Sequence, residues 1–398
     1  MTLKAKYQTS DFVFTGNPVV LQSQETSADP LRGASFRIES EGKNIYEGRF
    51  HPPLDIDVSE ILDSAFPYLA EPSGTDSGNP FELIEDVTQL GKQRRVTVYV
   101  DYGDREEQFV MTAIPGGISG QQYTSYALSG KDVFDGRFYG PGCNFFFTSR
   151  TSRWKIEMKE TELYPLYFMA MGPSMRVLVT DVAYGKEMGF ELPGGICTLD
   201  PDLLRRYFLE HTGHLCNVFD LYKETGRSAT MEYACRLLIT HCSPAKERYR
   251  LKFRNSFGVF EVMELTGKLM EGTEFEDLEA STYNRLDPVN RRYSNLRERL
   301  ESKRILEITT PLPYGYGNML RDLLGSEEVY ILDAFKMPVR INVSMEAVNL
   351  QSRREIPEVI TLKMEIAESE LRYDEIDSGP PDSRKPRVHT REFNKKFN

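Results

Sequence analysis

The sequence predicts a mostly β protein with two or three β-sandwich-like domains and a few short helices. Its aromatic residues are 23 Phe and 21 Tyr against one Trp, which favours strands because aromatic side chains suit pleated surfaces. Short stretches of alternating apolar and polar residues recur between turns rich in Gly, Pro and Asp, a pattern typical of sandwiches and small barrels. A length of 398 residues is sufficient for two or three cores of ordinary size.

The first predicted elements are a hairpin and a short helix. In residues 34–53, ASFRIESEGKNIYEGRFHPP, apolar residues alternate on either side of a Glu-Gly-Lys-Asn turn, which is the pattern of a β-hairpin. Residues 54–66, LDIDVSEILDSAF, carry apolar residues at helical spacing after two residues of capping type, Asp57 and Ser59. We therefore expect a helix capped by one of these two residues.

A loop and a second hairpin follow in the first half. Residues 71–80, EPSGTDSGNP, contain no large apolar side chain and are predicted to form an exposed loop. Residues 94–103, RRVTVYVDYG, and residues 106–117, EEQFVMTAIPGG, predict two strands joined by a turn of Asp and Gly residues.

The order of elements recurs in the second half of the chain. Residues 165–195 predict a pair of strands, and residues 198–208, TLDPDLLRRYF, predict a short helix with an Asp-rich start. Residues 233–267 predict a further run of strands. Because this order matches the hairpin, helix and strands of the first half, a duplicated β-domain is expected, by pattern and not by identity.

The hairpin in the stretch YRLKFRNSFGVFEVMELTG, residues 249–267, is the clearest of that run. Alternation places Tyr249, Leu251 and Phe253 on one face, and VFEVMEL continues as the partner strand. Asn255 and Gly258 are residue types that tolerate positive φ in a tight connection. The sequence therefore predicts a backbone role for this bend and not a chemical one.

The last third of the chain changes character. Residues 271–304 are highly charged, and their second half is expected to form either a short solvated helix or a long edge hairpin. The strand-rich pattern then returns, and GNMLRDLLGS is expected to form a helix ending at Gly325. The predicted units are 1–155 and 156–270 as two β-sandwich domains, 271–303 as a charged insert or connector, 304–376 as a C-terminal strand-rich unit, and 377–398 as a basic disordered tail.

The charge and the hydropathy pattern limit the function classes. A formal charge of −11 argues against a protein whose whole surface binds nucleic acid or an anionic membrane. No apolar stretch is long enough for a signal peptide or a membrane span, and the sequence begins with Met1. These features predict a soluble protein, cytoplasmic when synthesised.

Cysteine and histidine residues are the first candidates for a metal site. The five cysteines form an odd number and match no compact disulfide framework, which predicts reduced and mostly buried thiols. The zinc-ligand types in the second half are His211, His214, Cys216, Cys235, His241 and Cys242. Their spacing is not a common structural one, and ACRLLITHC predicts a strand with its two cysteines on opposite faces. No metal site is therefore predicted.

Two residues resemble nucleophiles at first sight. Ser119 lies among glycines in PGGISGQQ, but the hydrolase elbow needs Gly-x-Ser-x-Gly before a helix, and no helix pattern follows here. A flexible loop between strands is predicted instead. Cys143 in GPGC has only Arg137 and Arg150 nearby to lower its pKa, and no histidine follows within sixty residues.

Charged residues give no specific site either. The 60 Asp and Glu residues place carboxylates side by side by chance, so that no glycosidase pair can be chosen. The basic stretch NRRYSNLRERLESKR could contact nucleic acid through Tyr293, but Glu298 and Glu301 favour ion pairs within a solvated helix. No Walker loop, dinucleotide fingerprint or His-Glu-x-x-His motif is present. We predict no catalytic, cofactor-binding or metal-binding residues and no cofactor.

Several stretches resemble phage and prophage tail or baseplate structural proteins with repeated β-sandwich units. They are FRIESEGKNIYEGRFHPP followed by IDVSEIL, then FFFTSR, ELYPLYF and above all YRLKFRNSFGVFEVMELTG. The resemblance covers residues 30–270 and, more loosely, 304–372, whereas the charged insert and the basic tail depart from it. It implies units that pack into rings around a tail tube or distal end, without enzymatic activity.

The predicted function is therefore that of a structural or assembly component of a phage-type tail or tail-derived particle. Its partners would be other tail or particle subunits in a homo- or hetero-oligomer, without nucleic acid or membrane, and it would be part of the virion or particle once assembled. The alternative is a carbohydrate- or surface-binding β-sandwich protein, in which aromatic side chains of loops such as GGISGQQYTSYA and PYGYGNM stack on sugar rings. Tyr314 and Tyr316 are the residues whose mutation would test it. A hydrolase with a site of distant acids is a further alternative without a supporting motif.

Overall fold

The computed structural model of the chain describes most of its residues. The described ranges are 4–5, 11–23, 33–51, 54–74, 78–103, 105–129, 134, 145–152, 154–225, 230–276, 282–297, 301–313, 315–345 and 358–367. The predicted basic tail, residues 377–398, lies outside them, as do Cys143 and Tyr314.

Short helices and many strands make up the described residues, as predicted. The helices are α1 Ser59–Ala65, α2 Val87–Gln93, α3 Gly120–Leu128, α4 Pro201–Thr212 and α5 Gly317–Gly325. The strands are β1 Lys4–Ala5, β2 Phe12–Phe14, β3 Val20–Ser23, β4 Ala34–Ser40, β5 Lys43–Phe50, β6 Leu54–Asp57, β7 Phe81–Asp86, β8 Arg95–Asp101, β9 Glu106–Ile114, β10 Thr151–Ser152, β11 Lys155–Lys159, β12 Leu166–Asp181, β13 Glu187–Leu199, β14 Val218–Thr225, β15 Thr230–Thr240, β16 Arg248–Arg254, β17 Phe260–Thr266, β18 Leu269–Glu276, β19 Thr282–Asp287, β20 Arg292–Arg297, β21 Glu301–Leu312, β22 Val329–Ile331, β23 Val339–Met345 and β24 Glu358–Ile366.

The first unit has two sheets and one helix around a common core. A five-stranded sheet in the order β2-β9-β8-β4-β5 and a three-stranded sheet in the order β1-β3-β6 contribute to it together with α1. Ile38 in β4, Val98 in β8 and Leu62 in α1 are completely buried. The apolar alternation seen in the sequence therefore corresponds to the inner face of the sheet.

The middle unit is a seven-stranded sheet in the order β10-β11-β15-β14-β12-β13-β7. The helix α4 packs on it through Leu204 and Phe208, which share a core with Phe168 and Phe219 of the sheet. Asp200 caps α4 by accepting the N–H groups of the two residues that follow Pro201. The Asp-rich start of this helix, noted in the sequence, is thus an N-cap.

The C-terminal unit is a second seven-stranded sheet, in the order β17-β16-β22-β23-β24-β21-β18. The helix α5 ends at Gly325, as predicted, and buries Leu320 and Leu323 against the sheet. In each of the three units, a short helix therefore packs on a sheet.

The predicted hairpins are confirmed. The strand pairs β4–β5, β8–β9, β12–β13 and β16–β17 are all antiparallel neighbours. In the first of them, Glu41 and Gly42 both have positive φ (52° and 73°), which is the requirement of a two-residue turn that matches strand twist. The helix α1 also forms. Its N-cap position is Val58, which makes no capping side-chain bond, but the predicted Asp57 accepts the N–H of Ser59, the first helical residue (3.0 Å).

The charged insert is a hairpin and not a helix. The strands β19 and β20 pair with each other in residues for which the sequence left both possibilities open. The prediction of ion pairs within a helix around Tyr293 is therefore wrong, because successive residues of a strand point to opposite faces.

The sheets do not follow the predicted domain limits. Strands within residues 156–270 are divided between the middle sheet and the C-terminal sheet, and β7 from the first 155 residues joins the middle sheet. The strand order β9-β8-β4-β5 of the first unit reappears as β15-β14-β12-β13 in the middle unit. This recurrence agrees with the repeated order of elements in the sequence, while a duplicated β-domain stays a prediction.

None of the helices in the described residues is long and apolar enough to cross a membrane.

Candidate functional site

The bend between β16 and β17 lies where the three units meet, and we call it the junction turn, residues 255–258. It is closed by bonds from the Gly258 N–H to the Asn255 carbonyl (2.9 Å) and from the Asn255 N–H to the Val259 carbonyl (2.8 Å). The Asn255 carboxamide oxygen also accepts the N–H groups of Phe257 and Val259 (2.9 and 3.3 Å). Its amide nitrogen donates to the Phe147 carbonyl (3.1 Å), which connects the turn to the middle unit.

The two residues singled out in this bend therefore have different roles. Gly258 has a φ of 74°, as the prediction requires. Asn255 is not among the residues with positive φ, so that part of the prediction is wrong. Its buried side chain organises the turn by hydrogen bonds instead.

Phe257 is the apolar contact of the junction turn. Its ring stacks on that of Phe147, with 5.9 Å between centroids, and lies 6.0 Å from that of Phe14. The Phe257 backbone lies against Gly116, which has a φ of 86°, and a Cβ at Gly116 would lie 2.2 Å from the Phe257 carbonyl carbon. Only glycine permits this approach, so the loop after β9 and the turn fit together at the level of their backbones.

Ser256 connects the junction turn to α5 and to the first unit. Its N–H and its hydroxyl both donate to Asp322 in α5 (3.0 Å each). Its carbonyl accepts the Gly117 N–H (2.6 Å). Burial raises the pKa of Asp322, although these hydrogen bonds oppose the shift. The serine hydroxyl thus serves as a donor that holds two segments together.

Arg254 closes one side of the junction turn. Its Nε and Nη2 contact one carboxylate oxygen of Glu328 (2.8 and 2.7 Å), and its Nη1 donates to the Gly258 carbonyl (2.9 Å). The guanidinium lies over the rings of Tyr68 and Phe260, 4.2 and 4.1 Å from their centroids. Burial acts to raise the pKa of Glu328, but the neighbouring Arg254 outweighs it and the pKa is lowered.

These groups line an open, polar cleft of about 550 Å3. Its wall also includes Asp63, which accepts the Thr15 hydroxyl (2.6 Å), and Arg340, which donates to the Glu327 carbonyl (2.9 Å). Charged groups of both signs thus bond to neighbouring protein segments. The chemistry of the cleft is that of a polar interface between units.

A buried ion pair covers the outer edge of β17, which is the last strand of its sheet. Arg150 and Glu162 are 2.8 Å apart, and their side chains are at most 2% exposed. Arg150 also donates to the carbonyl of Val262, and Glu162 accepts the N–H of Glu264 (2.8 Å). The pair therefore bonds backbone groups that an adjacent strand would otherwise take, which protects the edge from pairing with another chain.

Glu162 has further donors. It accepts the Lys159 N–H (3.1 Å) and the Tyr316 hydroxyl (2.7 Å). Burial acts to raise the pKa of Glu162, but Arg150 and the backbone donor outweigh it, and the pKa is lowered. Burial likewise disfavours the charged guanidinium, yet Glu162 and its neighbours raise the pKa of Arg150. Both groups are therefore charged, and each depends on the other.

Glu261 is one of the two buried acids of β17, together with Glu264. It accepts the Ser149 N–H (3.2 Å), the Ser149 hydroxyl (2.6 Å) and the Thr148 hydroxyl. Burial raises the pKa of Glu261, although Arg150 opposes the shift. Thr148 and Ser149 are thus held against β17 by hydrogen bonds to one carboxyl.

A further buried pair connects the first unit to the middle sheet. Arg94, which follows α2, donates from Nε and Nη2 to the two carboxylate oxygens of Glu85 in β7 (2.8 and 2.7 Å). Its Nη1 donates to the Pro67 carbonyl (3.0 Å). This fork geometry fixes the direction of the contact as well as its strength.

Comparison with known proteins gives no family for this arrangement. No protein-family model matches the chain, and no curated protein matches it. The role of the junction is therefore inferred from its own residues, and the kinship with tail proteins stays a hypothesis.

Among the described residues, no group of three or more His, Cys, Asp or Glu side chains is placed to hold a metal ion. His211 stacks on Tyr207 (4.1 Å between centroids), and His214 stacks on Tyr184 (4.2 Å). The two histidines thus contact aromatic rings.

The described cysteines are free thiols, as predicted. Cys197, Cys216 and Cys235 are buried, whereas Cys242 is partly exposed and lies beyond the end of β15. Burial raises the pKa of Cys197 to about 12. Burial, with a smaller contribution from Asp181, raises the pKa of Cys216 to about 12. Thiols with such pKa values are protonated near neutral pH and react slowly.

The flexible loop predicted around Ser119 is wrong, because α3 begins at Gly120. Ser119 is its N-cap and accepts the Gln122 N–H (3.3 Å). The sequence GQQYTSYAL shows little amphipathic periodicity, so the helix was missed. Its Tyr123 is buried and donates to the Pro18 carbonyl (2.8 Å), which excludes it from an exposed aromatic platform.

Sequence reasoning missed Arg150, Glu162 and Glu261. A signal was present in GVFEVMELTG, since its apolar residues do not alternate with period two. Every residue from Phe260 to Leu265 is buried, which corresponds to a strand covered on both faces. Two glutamates inside such a strand require buried partners.

Proposed function

We propose that this protein is a non-enzymatic structural component of a multisubunit particle of the phage-tail type, with other particle subunits as its partners. The observation that carries the proposal is the junction, in which buried polar contacts join three sheets into one body. A subunit of a ring must hold its contact surfaces at fixed angles, since small rotations accumulate from one copy to the next.

The buried pairs support such rigidity. Breaking the Arg150–Glu162 or the Arg94–Glu85 pair would leave a charge without its partner in the interior. Because a movement of the units would disturb these pairs, the pairs oppose it. The junction turn adds an apolar contact through Phe257 and a close backbone approach at Gly116. These contacts keep the units in one arrangement.

The strand edges support an assembly role in a second way. The outer edge of β17 is covered by side chains, whereas β5 and β18 are the outermost strands at the far ends of their sheets. Edge strands offer backbone donors and acceptors to a neighbouring subunit. The tail-type character itself is supported by the resemblance of the quoted stretches, including the one that forms the junction turn.

The carbohydrate-binding alternative loses one of its two named residues. Tyr316 is 8% exposed, and its hydroxyl donates to Glu162 inside the protein. It therefore contributes to the interior and not to a sugar-stacking surface.

Sedimentation of the chain from its native host tests the proposal. A tagged full-length chain is followed through a density gradient, and the fractions are examined by negative-stain electron microscopy and mass spectrometry. We expect the chain in fast-sedimenting particles, at a fixed ratio to other structural subunits. Recovery only as a free 45.7 kDa protein would overturn the proposal. The variant Glu162→Gln, with its weakened junction, should be depleted from the particles relative to Glu271→Gln, which alters an exposed pair.

A further inference from the structure

The hairpin β19–β20, residues 282–297, forms a two-stranded ribbon that we call the arm. The β18–β21 ladder pairs Glu276 with Glu301. The arm lies between these two strands in sequence and pairs Thr282 with Arg297. Its register therefore differs from that of the β18–β21 ladder by only two residues. Within the described residues, β19 and β20 form a separate two-stranded sheet. Strands of six residues are about 20 Å long.

The exposed side chains at the end of the arm have the composition of an interface. Leu286 is 48%, Val289 86% and Tyr293 75% exposed, and Arg291 and Arg292 are exposed beside them. Tyr and Arg are enriched among residues that dominate binding energy at protein interfaces. A two-stranded hairpin is only marginally stable in water by itself. Contact with a second surface would therefore both bury these side chains and order the arm.

The charge of the arm selects the partner. Its residues include four Arg and one Asp, a formal charge of +3 (four less one). The remaining residues carry −14 (−11 less +3), so another copy of the chain offers a complementary surface. Nucleic acid and anionic membranes would also attract the arm, but the negative remainder of the same chain repels them.

We propose that the arm docks on an acidic surface of a second copy of this chain and joins successive copies. The inference rests on the proposed function and names the surface through which assembly occurs. Because the arm and its receiving surface are different parts of the molecule, the contact is heterologous, as in a ring or a stack. The exposed Tyr293 and the two arginines are its anchors, and the surrounding acidic surface gives its salt dependence.

Photo-crosslinking from the arm tests this contact directly. Tyr293 is replaced by benzoylphenylalanine in the full chain, and the same replacement at Tyr184, exposed by 54%, is the matched control. An equal mixture of isotope-labelled and unlabelled chains distinguishes crosslinks between copies from those within one copy. We expect mixed-label adducts from position 293 on peptides rich in Asp and Glu, and none from position 184. Crosslinks only within one chain, to another protein, or to nucleic acid would overturn the inference.

Charge reversal gives a second, independent measurement. The double variant Arg291→Glu/Arg292→Glu should weaken self-association at least about tenfold in sedimentation equilibrium, and added salt should weaken the wild-type contact. The control Lys246→Glu/Lys268→Glu changes the net charge equally at exposed positions away from the arm. Equal association of both variants would overturn the arm's role.

The two proposals fail in distinguishable ways. If the chain sediments in particles but the arm variants are incorporated as well as wild type, the arm inference is wrong and the assembly role stands. If the arm crosslinks two copies but the chain is recovered only outside particles, the proposed function is wrong and the interface stands.

Discussion

Two hairpins of the C-terminal unit have opposite surroundings. In the β16–β17 hairpin the junction turn is buried, with Asn255 and Phe257 each 5% exposed, and the outer edge of β17 is covered by Arg150 and Glu162. In the β19–β20 hairpin the end is exposed, with Tyr293 at 75%. Both are antiparallel pairs joined by short connections.

The difference shows that local hairpin chemistry does not decide the role of a hairpin. Each bend contains one residue of positive φ near its end, Gly258 (74°) in the first and Arg291 (50°) in the second. The first contacts the other two units and joins them, whereas the second forms, within the described residues, a separate two-stranded sheet with exposed side chains at its end. Substitutions in the two hairpins should therefore differ most where the surroundings differ most.

The largest contrast is expected for the aromatic residues. Phe257→Ala removes a ring from a cluster shared by three units and should lower the free energy of unfolding by about 4 kcal/mol. Tyr293→Ala should change it by less than about 0.5 kcal/mol. Urea unfolding followed by tyrosine fluorescence and circular dichroism measures both. Similar losses for the two variants would contradict the contrast.

The next largest loss of stability is expected at the outer edge of β17, which Arg150 and Glu162 cover. Glu162→Gln leaves the Arg150 guanidinium buried without a carboxylate and should cost about 3 kcal/mol. The control Glu271→Gln breaks the exposed pair with Arg304 on β18–β21 and should cost less than about 1 kcal/mol. The shift of the urea midpoint at neutral pH distinguishes them. An equal shift would mean that the edge cover contributes little.

The side chain of Asn255 is expected to contribute more to stability than that of Asn290. Asn255→Ala removes the acceptor of two N–H groups and the donor to Phe147, and should cost about 2 kcal/mol. Asn290→Ala, in the connection between β19 and β20, is the comparison and should change the free energy of unfolding by less than about 1 kcal/mol. Amide hydrogen exchange at Phe257 and Val259 should also accelerate in the first variant. Unchanged protection there would contradict the assigned role.

Substitutions at the two residues of positive φ, Gly258 and Arg291, should change the free energy of unfolding by smaller amounts and in opposite directions. Gly258→Ala places a Cβ at positive φ, 3.0 Å from the Tyr68 side chain, and should cost about 1 to 2 kcal/mol. Arg291→Gly relieves a positive φ at an exposed position and should be neutral or stabilising by about 0.5 kcal/mol. Thermal unfolding of the two variants measures the sign directly. A loss of stability in Arg291→Gly would show that its side chain contacts the body.

The smallest expected effect concerns pH. Because the folded pKa of Glu261 is raised, its contribution to stability is complete below the ordinary glutamate pKa of 4.5 and is lost as pH rises through the folded pKa. Glu162 has a lowered folded pKa, so its contribution is present above that ordinary value and is lost as pH falls through the folded pKa.

Glu261→Gln should therefore gain stability relative to wild type as pH rises from about 4 to about 7. Urea midpoints measured across this range test the sign, with Glu271→Gln as the exposed control. A difference between Glu261→Gln and wild type that is independent of pH would contradict the raised pKa.

Much of the local structure was determined by the sequence. Alternation of apolar residues gave the hairpins, and capping and helical spacing gave α1, α4 and α5, because these signals depend on residues close in the chain. The helix α3 was missed, since its nine residues have no strong apolar face. The charged insert is compatible with a helix and with a hairpin, because charged residues without an apolar pattern occur in both.

Only the tertiary structure decided how the units are joined. Arg150 bonds to Val262 and Glu162 to Glu264, each more than a hundred residues away in sequence, and no local pattern marks such partners. The sequence alone determined that residues 255–258 form a bend. That this bend is buried among three sheets, while a second bend of the same unit is exposed, follows from long-range packing and from the need to satisfy buried charges.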